Sequence, residues 1–182
     1  MKAEPVLASN LHIIAPLLNS ASVSEAEALG SVLWLWMHSG RHNELPLHTI
    51  PTLLLPAIKL NQYILILEGA KPIAFASWAS MNAEAECRYA HGHQLQMHEA
   101  DWNSGDRIWF VDWVAPFGHT QWVRKFRGHP FFSHQCGRSL YHRFSKKGSR
   151  VMLWRGKGVS KVQAYQWDAE HAILPKATNK YE

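Results

Sequence analysis

Apolar and polar positions alternate most regularly between Arg107 and Pro116. Read as a strand, this run puts Ile108, Phe110, Asp112 and Val114 on one face and Trp109, Val111, Trp113 and Ala115 on the other. A strand so rich in aromatic and β-branched residues belongs in the middle of a sheet, and it stops at Pro116 because proline cannot donate to the ladder. A turn-prone Asn103-Ser104-Gly105-Asp106 leads into it. Two further runs, Gln62 to Leu67 and Pro72 to Trp78, are joined by Glu68-Gly69-Ala70-Lys71 and predict a hairpin. Ser139 to Phe144 and Arg150 to Trp154 predict a second strand pair around Lys146-Lys147-Gly148.

Helical periodicity appears earlier in the chain. Ser24 and Glu27 form a capping box ahead of Leu29, Val32, Leu33 and Trp36, and Gly40 is expected to close that helix as a left-handed cap. Residues 47–60 carry Pro51 and Pro56 and predict a kinked, buried helix. Asn82 caps a helix to Ala90, with Glu84 and Glu86 in its first turn. Residues 91–104 predict a polar loop, Trp122 to Phe126 a short helix, and the tail from Gln163 a helix running to Pro175. Residues 1–22 hold Pro5 and Pro16 around an apolar stretch and suggest a short helix or an extension. Helices, a hairpin, another helix and then strands predict a mixed α/β (α+β) fold with one main sheet.

Composition adds bounds. With 182 residues, 47% of them hydrophobic and nine tryptophans, the chain suits one domain with a real core. Its longest apolar run is too short to span a bilayer, and the N-terminus does not read as a signal peptide. Two cysteines without CxxC spacing point to neither a disulfide framework nor a zinc ribbon. The net charge of +5 is unevenly placed: from His119 to Lys161 there are eleven Lys and Arg and no Asp or Glu. That asymmetry asks for an anionic partner: nucleic acid, a membrane surface, or an acidic or phosphate-bearing partner.

Asp112 is the first candidate for chemistry. A carboxylate in such a strand must find a partner or carry a raised pKa, unless it only holds a loop near the strand end. The second candidate is Met37-His38-Ser39-Gly40-Arg41-His42, two histidines and a serine at a helix end. His38 and His42 would share a face if the helix continued, as zinc ligands do, but Gly40 argues against that and the HExxH pattern is absent. The alternative is a histidine paired with Asp112, a carboxylate fixing the tautomer of a general base. His91, His93, His98 and Asp101 read as a surface loop rather than a metal site. No GxSxG, P-loop or GxGxxG occurs.

Together these stretches carry a resemblance. Leu29-Gly30-Ser31-Val32-Leu33-Trp34-Leu35-Trp36, Ser39-x-x-His42, Leu55-Pro56-Ala57-Ile58-Lys59-Leu60-Asn61-Gln62-Tyr63, Pro72 to Ala79, and Trp102 to Gly118 resemble the RTX toxin-activating lysine acyltransferases, the hemolysin-activating C protein family. The likeness covers roughly residues 29–118 and continues loosely to Trp154-Arg155-Gly156. It implies a fold like that of the GNAT acyltransferases, a mixed central sheet flanked by helices. An N-terminal extension over 1–22 and a single acyltransferase domain over 23–182, with its basic segment at 119–161, would follow.

The resemblance also implies a cytoplasmic bacterial enzyme that moves a fatty acyl group from acyl-acyl carrier protein to internal lysines of an RTX protoxin. No bound cofactor is implied; the donor is the phosphopantetheine thioester of the carrier. The family's catalytic pair falls on His42 and Asp112, with Ser39, Trp113 and Arg107 as supporting or substrate-site candidates. Arg124, Lys125, Arg127, Arg143, Lys146, Lys147 and Arg150 are candidates for docking the acidic carrier. A homodimer stays open, and neither nucleic acid nor a membrane span is expected. Gly40 and Arg41 stand where many members have Pro and an apolar residue, and Leu53 where some have Asn. The competing reading is a basic nucleic-acid-binding or non-catalytic interaction module.

Overall fold

The computed structural model describes residues 10–92, 97–141 and 150–175. Among them are the helices α1 (Pro16–Asn19), α2 (Glu25–Met37), α3 (Ile50–Leu53), α4 (Leu55–Lys59), α5 (Ala83–His91), α6 (Thr120–Lys125), α7 (Pro130–Ser133) and α8 (Lys161–Glu170). The strands β1 (Leu11–Ile14), β2 (Tyr63–Glu68), β3 (Lys71–Met81), β4 (Arg107–Val114), β5 (Cys136–Tyr141) and β6 (Arg150–Arg155) form one sheet in sequential order. Neighbours are antiparallel except β4 and β5, which run parallel. A parallel pair needs a crossover, and α6, a 3₁₀ turn at Phe126–Gly128 and α7 supply it. The result is a mixed sheet with helices on both faces, an α+β fold.

On one face Val123 and Phe132 of the crossover pack against Ile64, Trp78, Ile108 and Phe110. On the other, α2, α3 and α4 cover Tyr63, Leu65, Phe75 and Val114. Beside them Ala85 and Tyr89 of α5 cover Met81, Trp109 and Val111. β4 is central, as its composition predicts. The capping box holds: the Ser24 hydroxyl accepts from the Glu27 amide at 3.2 Å, and the Glu27 carboxylate accepts from the Ser24 amide at 3.0 Å. Asn82 caps α5 through the Ala85 amide at 2.8 Å. The β2–β3 turn is Gly69-Ala70, with Gly69 at φ +61°, a backbone that glycine adopts without strain.

Three local expectations change. Residues 11–14 are not part of a helix but an edge strand paired with β2, and only the turn from Pro16 is helical. The kinked helix over 47–60 is a 3₁₀ turn (Leu47–Thr49) followed by α3 and α4, and Pro51 and Pro56 each sit in the first turn of a new helix. Gly40 is not a left-handed cap. α2 ends at Met37, and the amides of His38 and Ser39 reach back to the carbonyls of Leu35 and Trp36 at 3.1 and 3.0 Å. The His38 ring takes the Trp34 carbonyl at 2.8 Å, so the helix end needs no glycine.

A fourth change matters most for function. β4 does not alternate throughout: Ser77 pairs with Asp112 and Trp78 with Phe110, leaving Val111 as the extra residue of a β-bulge. Phe110 and Trp113 therefore face the crossover side, while Val111 and Asp112 line the same cavity on the opposite side. Asp112 does not share a face with Ile108 and Phe110. The bulge turns it toward the C-terminal end of α2.

Candidate active site

His42 and Asp112 meet at the end of α2. His42 Nε2 lies 3.0 Å from Asp112 Oδ1, and the two residues are only 6% and 7% exposed. The other carboxylate oxygen, Oδ2, accepts from the Trp36 indole at 2.8 Å, and Oδ1 also accepts from the Trp113 amide at 2.8 Å. The Trp36 ring stacks on the imidazole, with centroids 5.3 Å apart and planes 21° apart. On its far side His42 Nδ1 is 2.7 Å from the hydroxyl of Ser39, which is half-buried.

Local sequence explains this placement. The chain leaves α2 in tight turns, with the His42 and Asn43 amides donating to the Ser39 carbonyl at 2.9 and 3.0 Å and the Leu45 amide to the His42 carbonyl at 3.0 Å. These bonds fold residues 38–45 back over the helix end and drive the His42 ring under Trp36. His38 points elsewhere, against Trp34 and Phe117. The two histidines do not share a ligand face, and among the described residues no three potential ligands gather into a metal site.

Electrostatics follow from the hydrogen bonds. Burial alone pushes the Asp112 carboxyl up, but its bond to His42, the His42 charge, the Trp36 indole and the Trp113 amide together hold it below the usual carboxylate range. An ionised Asp112 only accepts, so Nε2 carries the proton it donates to Oδ1. In the neutral ring Nδ1 then accepts from the Ser39 hydroxyl, a tautomer assigned from this network. A buried imidazole with one nitrogen locked on a carboxylate and the other reaching the surface through a hydroxyl can receive a proton.

A cavity of about 70 Å³ adjoins the pair, walled by Trp36, Arg41, Leu45, Leu53 and Val111. Ser77, opposite Asp112 on β3, is fully buried, and its hydroxyl has no partner among the described residues.

Of the other expected site residues, Ser39 joins the pair, while Trp113 does so only through its amide. Its indole, on the other face, donates to the Thr120 hydroxyl at 2.8 Å. Arg107 lies elsewhere, ion-paired with Glu86. Glu86 is fully buried and also accepts from the Trp109 indole at 2.8 Å and from Arg138 at 2.5 Å; Arg138 in turn holds Asp168 of α8 at 2.6 Å. This network ties α5, β4, β5 and α8 together. Trp36, marked in the sequence only as an apolar position of α2, also joins the pair through its indole and its ring. Its signal was an indole one turn before the histidine turn, on the face that α2 buries.

Arg124 and Lys125 are exposed on α6, with Lys125 over the Trp122 ring at 3.6 Å, and Arg150 is exposed at the start of β6. Arg127 is anchored on the Arg155 carbonyl at 2.8 Å. None of these four has an ion pair among the described residues. Arg143, Lys146 and Lys147 lie outside the described residues, as does His93. Among the described residues no helix is long and apolar enough to cross a membrane.

Comparison with known proteins gives a consistent set of likenesses. The sequence model of the RTX toxin acyltransferase family matches residues 21–155. The protein-lysine myristoyltransferase RtxC of Kingella kingae is 43% identical over 97 residues, 53% of this chain and 58% of that protein. The RTX-I toxin-activating lysine-acyltransferase ApxIC of Actinobacillus pleuropneumoniae is 46% identical over 101 residues, 56% of this chain and 58% of that protein. In these two alignments the chain spans little more than half the length of the relative. The protein-lysine palmitoyltransferase CyaC of Bordetella bronchiseptica is 38% identical over 150 residues, 81% of this chain and 80% of that protein.

Proposed function

The chain belongs to the RTX toxin acyltransferase family, and on that premise we propose that it is a protein-lysine acyltransferase. Its donor is the fatty acyl thioester of an acyl carrier protein, and its acceptors are internal lysine ε-amines of an RTX protoxin. The observation that carries this reading is the His42–Asp112 pair at 3.0 Å, buried and completed by Ser39. The relatives named above are lysine acyltransferases, two of them a myristoyl- and a palmitoyltransferase.

The mechanism follows from the network. A lysine amine is mostly ammonium at neutral pH and attacks only as the free base. His42 Nδ1 is the base, and because the imidazole is buried while Ser39 is half-exposed, the proton travels through the Ser39 hydroxyl. Ser39 passes its own proton to Nδ1 and takes one from the attacking amine. The amine nitrogen bonds to the thioester carbonyl carbon, the C–S bond breaks, and the thiolate leaves with the proton that His42 returns. Asp112 holds the ring and stabilises the imidazolium. Such a base contributes about 10² to 10⁴ in rate.

Arg124, Lys125, Arg127 and Arg150 serve to dock the acidic carrier, a role supported by their lack of described carboxylate partners. The mixed sheet is compatible with a GNAT-like fold, and the enzyme would act in the bacterial cytoplasm. The test is mass spectrometry of an RTX toxin fragment co-expressed with this chain. A fatty-acyl mass on lysine is expected with the wild type and lost with His42→Ala. No acyl mass of any length with the wild type overturns the reading.

A further inference from the structure

We infer that a second cavity, which shares no wall residue with the one beside His42, binds a phosphate monoester. It has a volume of about 270 Å³ and lies where β6, the first turns of α8 and the 3₁₀ turn at Phe126–Gly128 meet. Its described wall carries three cations, Arg127, Arg155 and Lys161, and no Asp or Glu. Among the described residues none of the three has a carboxylate partner, and Asp168 of α8 is already held by Arg138.

Three cations around one cavity repel one another, and two of them are fixed in place. Arg127 Nε donates to the Arg155 carbonyl at 2.8 Å, and the Lys157 amide donates to the Arg127 carbonyl at 2.9 Å. The Arg155 guanidinium donates to the Val159 carbonyl. Each guanidinium thus gives one N–H to the backbone and keeps the others for a ligand, which is the preorganisation a bidentate anion site needs. Lys161 adds an independent departure. It opens α8, whose first turn holds no acidic residue, at the helix end where the dipole disfavours a cation. A bound anion offsets both the repulsion and the misplaced charge.

The wall suits phosphate better than a carboxylate. A phosphate monoester brings about −1.5 to −2 of charge to three cations, and its oxygens match the planar forks of two arginines. A volume of about 270 Å³ is room for roughly nine waters at a ~30 Å³ liquid share each. That accommodates a phosphate and part of an organic stem, with Trp154 and Tyr165 as flat walls for the stem. The inference does not depend on the acyl-transfer reading.

Calorimetric titration of the full chain at low salt tests it, with ADP and pantetheine 4′-phosphate as probes and adenosine and pantetheine as their phosphate-free counterparts. Saturable binding of a phosphate ester, and none of its counterpart, is expected. Arg127→Gln and Arg155→Gln should weaken that binding about ten- to a hundredfold, and Lys161→Gln, at an exposed side chain, about two- to fivefold. Lys59→Gln, which removes an exposed charge on α4 outside the cavity, should leave it unchanged. If circular dichroism shows either arginine variant unfolded, Lys161→Glu decides: a loss of about tenfold or more supports the site, and unaltered affinity overturns it. Two results overturn the inference directly: no binding of either ester by the wild type, or the same loss in Lys59→Gln as in the cavity variants. If neither ester binds while apo-acyl carrier protein does, and Arg155→Gln weakens the carrier alone, the cavity takes carboxylates and the inference is wrong.

Discussion

Trp36 donates its indole N–H to Asp112 Oδ2 at 2.8 Å while its ring stacks on His42. One side chain thus orients the carboxylate and the imidazole that the carboxylate serves. Phenylalanine at this position keeps the stacking and removes the donor. Trp36→Phe is expected to cost about 1–3 kcal/mol in stability, because a buried carboxylate loses a partner. It should lower kcat about ten- to a hundredfold with little change in KM, by loosening the base without touching substrate. Urea unfolding and steady-state acyl transfer on the same preparation check both figures.

Asp112 makes stability depend on pH in a predictable direction. Its carboxyl is held below the usual range against the opposing effect of burial, chiefly by His42. A group whose folded pKa lies below its unfolded value, about 3.9 for Asp, adds stability that is present above the unfolded value. That stability is lost as pH falls through the folded one. Wild type and Asp112→Asn should therefore differ most near neutrality and converge as pH drops below about 4. Urea titrations stepped in pH read this directly, and parallel curves would refute it.

The Glu86–Arg138–Asp168 network makes a separate claim on stability. Arg138 is 1% exposed and holds two carboxylates from different elements. Truncating it leaves Glu86 buried with one fewer cation, so Arg138→Ala should cost about 3–5 kcal/mol. The C-terminal helix loses its anchor with it, and amide exchange over residues 161–170 should accelerate more than over β2 and β3. Transfer measured well below the melting temperature should stay close to wild type, because the network lies apart from His42.

Charge reversal on α6 tests the proposed carrier-docking role. Arg124→Glu with Lys125→Glu removes exposed positive charge without disturbing His42. Association with the acyl carrier protein should slow by about ten- to a hundredfold at low salt, and the variant should lose most of the wild type's salt dependence. Stopped-flow binding across an ionic-strength series measures both.

Much of this fold is written in local chemistry. The period-2 run of β4, the Ser24–Glu27 box, the Asn82 cap and the Gly69 turn each act within a few residues, so each could be read from neighbours in the chain. The features that escaped reading depend on partners distant in sequence. Alternation places Asp112 beside Phe110, but the register with Ser77 and Trp78 inserts a bulge and turns Asp112 to the opposite face. Gly40 looked like a helix cap, yet the His38 ring satisfies the Trp34 carbonyl instead. β1 has only four residues and takes its identity from pairing with β2. At the site, Asp112 and the histidine turn stood out from the residues themselves, the family likeness singled out His42 and Ser39, and the geometry brings the three together. Arg107 was named on the same ground and lies in the Glu86 network, a distinction no one-dimensional spacing carries.

The central claim is that His42 is the base of lysine acylation. Single-turnover transfer from palmitoyl-acyl carrier protein to a protoxin fragment tests it most directly, comparing wild type with His42→Ala that is folded by circular dichroism. The account predicts a loss of about 10² to 10⁴ in the rate of amide formation. A variant that keeps more than about a tenth of the wild-type rate would contradict it.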